Sequence, residues 1–191
     1  MKTGRLEAFS DGVLAIIITI MVLEMKVPEG AGFDVLKPIL PVFLTYILSF
    51  IYLGIYWNNH HHLLQAVNKV NGKILWANLN LLFWLSLFPF VTGWMGENHF
   101  ETNPTALYGM VLFLAALAFK IFVYYVIKNE GKESNVGKVY SNDIKLNISL
   151  LLYLTGSAIS FLQPFLGLLI YLVAALLWVL PDKRIEQTFK K

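Results

Sequence analysis

Six apolar stretches recur along the chain, at roughly residues 9–25, 36–57, 74–95, 105–127, 144–162 and 165–180. Each is close to the length at which a helix crosses a bilayer, where about 20 residues at 1.5 Å each cover the hydrocarbon. The breaks between them collect the Pro, Gly, Asn and charged residues. Six such spans with short connections use up the 191 residues, so one membrane domain over 1–191 is expected and no separate soluble domain. Charged residues make up 14% of the chain, against about 25% in soluble domains. That leaves too little charge to cover a water-facing surface. The expected fold is all-α, a polytopic membrane protein of six helices. The absence of cysteine removes disulfide, thiolate and Cys-metal chemistry. A net charge of +3, scattered along the chain, gives no nucleic-acid footprint.

Two boundaries need an argument. Only Gln163 and Pro164 separate the last two stretches. One unbroken helix there would be too long for a bilayer, so a tight helical hairpin is expected. The first stretch resembles a secretory signal in length alone. Glu7 and Asp11 interrupt its basic start and Glu24-Met25-Lys26 replaces small cleavage-site residues, so it is expected to stay in the mature protein. With the N-terminus inside, the inner segments hold Lys2, Arg5, Lys69, Lys73, Lys128, Lys132, Lys138, Lys145, Lys183, Arg184, Lys190 and Lys191. Only Lys26 and Lys37 fall outside, with Lys120 inside the fourth span. That asymmetry places both termini in the cytoplasm. Trp57, Trp76, Trp94 and Trp178 lie near span ends, as in an interfacial aromatic belt.

The first span carries the most information. Arg5, Glu7, Ser10 and Asp11 open it, and Thr19 is its one polar side chain before Glu24. At about 100° per residue, Gly12, Ile16, Thr19 and Leu23 share a stripe with Ile20 beside it, while Asp11 points well away toward another helix. Such a stripe suits helix packing and pore lining alike, and a carboxylate at a span edge is accommodated by lipid headgroups.

The run Arg5-x-x-x-Phe9-Ser10-Asp11, then Thr19 in an Ile-rich helix and Glu24 after it, resembles the signature of the endolysosomal-type potassium channels, the transmembrane-protein-175 family, and its bacterial members. Trp57-Asn-Asn-His60-His61, Asn78 and Pro89 are similar to the family's pattern, and six spans without a repeat resemble the bacterial members. The resemblance implies a homotetramer in which four first helices line a potassium pore. Ile16, Ile20 and Leu23 would form apolar constrictions, with Thr19 as a hydroxyl ring among them. Arg5, Phe9, Ser10 and Asp11 would belong to a polar network with Trp57, His60, His61 and Asn78. It implies a cell-membrane channel, in a bacterial inner membrane, with no cofactor beyond the permeant potassium ions. No Thr-Val-Gly-Tyr-Gly filter occurs, so a ring of filter carbonyls is not the source of selectivity.

Other constellations carry less. His60, His61 and His62 point about 100° apart on a helix and cannot converge on one metal ion, so a structural or pH-titrating role, paired with Asp11, is expected. Glu24 suits either a cation-attracting outer mouth or a solvated loop. Lys120 is expected to snorkel toward the inner surface, and the segment from Lys128 to Lys145 to be a loop without chemistry. No nucleophile or metal motif points to an enzyme. A secondary or proton-coupled cation transporter is the competing expectation, although it usually shows paired halves with broken helices.

Overall fold

Apolar side chains in long uninterrupted runs must satisfy their own backbone in lipid, and helices are the solution this chain adopts. The computed structural model describes residues 3–140 and 143–179, and among these every regular element is helical. Helix α1 covers Thr3–Leu23; a 3-10 segment at Phe33–Ile39 leads into α2, Leu40–Gln65. Helices α3 (Gly72–Leu85) and α4 (Phe88–Glu97) follow, then α5 (Thr102–Glu130), a short α6 (Asn135–Tyr140), α7 (Ile144–Ser160) and α8 (Pro164–Val179).

Local chemistry sets these ends. The Asn71 side chain accepts the Ile74 amide at 3.0 Å and caps α3, and Asp143 caps α7 by accepting the Leu146 amide at 3.2 Å. Prolines open α2, α4 and α8, where a missing N–H costs nothing. Gly131, at φ 94°, ends α5. Gln163 and Pro164 turn the chain between α7 and α8, as the sequence led one to expect.

Among the described residues four segments are long and apolar enough to cross a membrane: Thr3–Leu23, Phe33–Gln65, Gly72–Glu97 and Thr102–Glu130. Helices α7 and α8 are apolar but shorter, at 17 and 16 residues. The stretch expected to run unbroken over 74–95 is interrupted at Ser86 and Leu87. Pro89 has no amide hydrogen and its ring crowds the preceding turn, so the ladder breaks and a new helix starts at Phe88, two residues on. The inner segment expected to be loop holds the last turn of α5 and all of α6. Lys2, Lys183, Arg184, Lys190, Lys191 and the final residue of the expected sixth span lie outside the described residues.

Helix α5 is the centre of the molecule and packs against α3, α4, α7 and α8. Its small residues permit this. The Tyr171 hydroxyl donates to the Thr105 carbonyl at 3.2 Å, and the ring lies so close to Gly109 that any side chain there would overlap it. Gly167 of α8 is pressed in the same way against Ser160 and Gly156 of α7. Close backbone approach over small residues is how membrane helices gain contact without a hydrophobic driving force. Helix α1 lies at the side of this scaffold, against α2, α3 and α4.

Candidate functional site

Helix α1 has two unlike faces. Leu6, Ser10, Leu14, Ile17 and Met21 recur every three or four residues and are buried against the scaffold. The opposite face carries Phe9, Gly12, Ile16, Thr19, Ile20 and Leu23, and nothing among the described residues covers it. Ile16 is 60% exposed, Ile20 40% and Leu23 75%, which marks a continuous apolar stripe turned outward. Thr19 donates its hydroxyl proton to the Ala15 carbonyl at 2.8 Å. Its oxygen lone pairs are therefore the polar feature left on that stripe.

The inner end of α1 is fixed by side chains. Ser10 Oγ, wholly buried, donates to the Leu6 carbonyl at 2.9 Å. Its oxygen is then left to accept, which it does from Asn78 Nδ2 at 3.0 Å. With that amide nitrogen facing Ser10, Asn78 Oδ1 faces His60 Nε2 at 2.7 Å. The proton of neutral His60 accordingly sits on Nε2, and hydrogen bonding runs one way, from His60 through Asn78 and Ser10 to the α1 backbone. His60 is itself buried and stacks on Phe122 of α5, ring centroids 5.5 Å apart.

A second ladder lies beside the first. Trp57 Nε1 donates to Asp11 Oδ1 at 3.0 Å, and one turn further inward His61 Nδ1 meets Glu7 Oε1 at 2.6 Å. Gln65 Nε2 donates to His61 Nε2 at 2.8 Å, so the ring donates from Nδ1 to the Glu7 carboxylate. Trp57 stacks on His61, which stiffens both. At the very start of the helix Thr3 donates to the Val67 carbonyl at 2.9 Å.

The structure therefore brings Ser10, Asp11, Trp57, His60, His61 and Asn78 together, and leaves Arg5 and Phe9 of the expected network outside it. Asp11 is partnered by Trp57 and not by a histidine; the histidine goes to Glu7, which was not among the expected members. The signal was present, since Glu7 and Asp11 stand one turn apart on α1 just as His61 and Trp57 do on the antiparallel α2. Arg5 is exposed and makes no hydrogen bond or ion pair among the described residues. Phe9 is exposed on the uncovered face. Residues 57–61 lie within α2, which continues to Gln65, and not after it.

Glu24 sits just past the end of α1 and lines a groove of about 390 Å³ with Ile20, Ser86, Pro89, Phe90, Gly93, Trp94 and Glu97. Lys26 holds Glu97 at 2.9 Å nearby. Lys120 Nζ donates to Asn147 Oδ1 of α7 at 2.7 Å, a partner more specific than snorkelling alone. No group of three or more His, Asp or Glu side chains suited to a metal ion occurs among the described residues.

Comparison with known proteins gives a consistent result. Residues 5–89 match the family described as endosomal/lysosomal potassium channel TMEM175. The whole chain is 56% identical over 191 residues to a potassium channel of Chryseobacterium sp. (strain P1-3), covering 100% of both. It is 25% identical over 121 residues to the endosomal/lysosomal proton channel TMEM175 of Danio rerio, covering 61% of this chain and 22% of that protein. In three dimensions it superposes on the crystal structure of a lysosomal potassium-selective channel TMEM175 homolog from Chamaesiphon minutus. There the TM-score is 0.78 at 26% identity, over 93% of this chain and 96% of that one.

Proposed function

The chain belongs to the TMEM175 potassium channel family, and on that premise we propose that four copies surround a central pore through which potassium flows passively down its gradient. The chain is a membrane protein, and each copy contributes α1 to the pore and the remaining helices, arranged as five further spans, to the scaffold. Ile16, Ile20 and Leu23 form successive apolar rings, and Thr19 supplies a ring of hydroxyl oxygens among them. A narrow ring of isoleucines strips water from an ion without replacing it, so it closes the path by dewetting. The protein resides in a bacterial cell membrane with both termini in the cytoplasm, as the lysine and arginine distribution favours.

One observation carries this reading. The stripe from Gly12 to Leu23 is uncovered, while the same helix is locked against rotation by Asp11–Trp57, Glu7–His61 and the Ser10–Asn78–His60 chain. Lipid alone would cover apolar side chains in any orientation. A helix held in one orientation by a buried hydrogen-bond chain and two more exposed polar pairs fits a stripe whose direction matters.

The test is ion flux from purified protein in liposomes under potassium, sodium or proton gradients. Rapid potassium flux that needs no coupled ion is the expected result, with Ile16→Asn raising conductance and lowering discrimination between potassium and sodium. Saturating flux that requires a proton in either direction would make the protein a carrier and overturn the channel. The animal relative named as a proton channel makes proton permeation through the same pore the second reading, and the proton gradient measures it directly.

A further inference from the structure

Away from the candidate pore, an open groove of about 780 Å³ lies between the start of α3 and the end of α5. Its walls carry two kinds of chemistry. Lys73 and Lys128 supply positive charge, and the first turn of α3 adds the positive end of the helix dipole. Trp76 and Ile121 supply apolar surface, Trp76 being 75% exposed. The floor is built from Asn71 and Asn129. Asn71 Nδ2 donates to Asn129 Oδ1 at 2.8 Å, and Asn129 Nδ2 donates to the Lys69 carbonyl and to Glu130 Oε1. The Glu130 carboxylate is also held by the Asn68 amide and side chain, and is turned to that bonding rather than to the lysines. Lys73 has no ion pair among the described residues, and Lys128 has only the face of Tyr124, 5.8 Å from the ring centroid.

A further lining residue is Asn80. It lies seven residues beyond Lys73 on the same side of α3, about 10 Å deeper along the helix. It is exposed and makes no hydrogen bond among the described residues. A lone amide facing hydrocarbon is unfavourable unless a partner arrives from outside the chain. The order along α3 is thus a cation, an interfacial indole and then an amide. It matches the order of groups down a phospholipid: phosphate, glycerol, ester carbonyl.

We propose that this groove binds the head group of an anionic phospholipid of the inner leaflet. Lys73 and Lys128 hold its phosphodiester, Trp76 packs on its glycerol and upper acyl chain, and Asn80 donates to an ester carbonyl. The proposal rests on the cytoplasmic placement of the lysine-rich ends but not on ion conduction. It belongs to the class of basic interhelical pockets that hold anionic lipids on the cytoplasmic side.

The test is lipid retention by the purified full-length protein, read by native mass spectrometry in micelles holding equal amounts of phosphatidylglycerol and phosphatidylcholine. The wild type retains phosphatidylglycerol in preference, and high salt erodes the preference. A lysine at an anionic surface contributes about a fivefold factor in affinity, so Lys73→Gln with Lys128→Gln lowers it about 25-fold. Both side chains are exposed, so the unfolding midpoint in detergent stays unchanged. Asn80→Leu lowers retention of both lipids without altering oligomer size. Glycerol 3-phosphate fails to displace the lipid. Equal retention of the two lipids by the wild type, or unchanged affinity in the double variant, would overturn the proposal. Displacement by glycerol 3-phosphate would make this a site for soluble phosphates. Loss of oligomer in Asn80→Leu with lipid retention intact would make it a subunit contact. Because no flux is measured, failure here leaves the channel standing, and failure of the channel leaves this binding untouched.

Discussion

Helices α1 and α5 have nearly the same mean hydropathy, 2.1 and 2.3 over their most apolar windows, yet they hold opposite positions in the molecule. Half of that window in α5 is buried within the chain, against 28% in α1. Side-chain size separates them. Buried positions of α5 include Ala106, Gly109, Ala115, Ala116 and Ala118, which let four helices approach its backbone. Helix α1 instead carries isoleucines and a leucine on a face that no other described part of the chain covers. Apolarity thus says that both helices enter the membrane, while the small residues say which one the scaffold is built around.

The largest expected effect tests the α5 side of this contrast. Gly109→Val forces a branched side chain into the space of the Tyr171 ring and is expected to cost about 3 kcal/mol. A thermal melt in detergent should show a much lowered midpoint and little folded protein. An unchanged midpoint would mean that α5 is not tightly packed there. Asn78→Leu comes next. It strips the partner from His60 Nε2 and from Ser10 Oγ, both buried, at a cost of about 2 kcal/mol. The same variant removes one of the three ties that fix the rotation of α1, leaving Asp11–Trp57 and Glu7–His61 in place, so potassium flux should fall further than the loss of folded protein accounts for.

On the uncovered face the order of effects inverts. Ile16→Asn changes stability by no more than about 0.5 kcal/mol, because the side chain contacts little of its own chain. Its flux should rise and its ion discrimination fall. A large stability loss with unchanged flux would reverse the roles assigned to the two helices. The smallest effect belongs to Lys26→Gln. The Lys26–Glu97 pair is solvent-exposed, so no shift in the unfolding midpoint should be detectable by calorimetry.

Much of this architecture could be read from the residues. Runs of apolar side chains locate the helices, the Gln163–Pro164 turn separates the last pair, and helical periodicity places Asp11 off the Ile16 stripe. The interruption at Ser86 and Leu87 escaped because both sides of it stay apolar and only the steric demand of Pro89 marks it. Trp57 was among the expected partners of the inner end of α1, but which of Trp57, His60 and His61 meets Asp11 could not be read, for another reason. A carboxylate beside a histidine suggests a charge pair, but the choice between Trp57 and His61 depends on the axial register of α1 against α2. That register is fixed by packing and not by either helix's own periodicity. The central place of α5 was equally hidden, since its alanines and glycines look unremarkable until Tyr171 is seen to lean on Gly109.

Among the described residues the side-chain hydrogen bonds of α1 to other elements fall between Thr3 and Asp11, and beyond them the scaffold offers only Thr92 Oγ1 to Met21 Sδ at 3.9 Å. The helix is therefore a beam pinned by hydrogen bonds at its base and held toward its tip by packing alone, through Leu14, Ile17 and Met21. When such a beam bends, displacement grows with distance from the clamp, so Leu23 at the tip sweeps a wider arc than Ile16. Four beams clamped in a ring would vary most in spacing at their outer tips. The opening near Ile16 would hold its diameter while the one at Leu23 breathes.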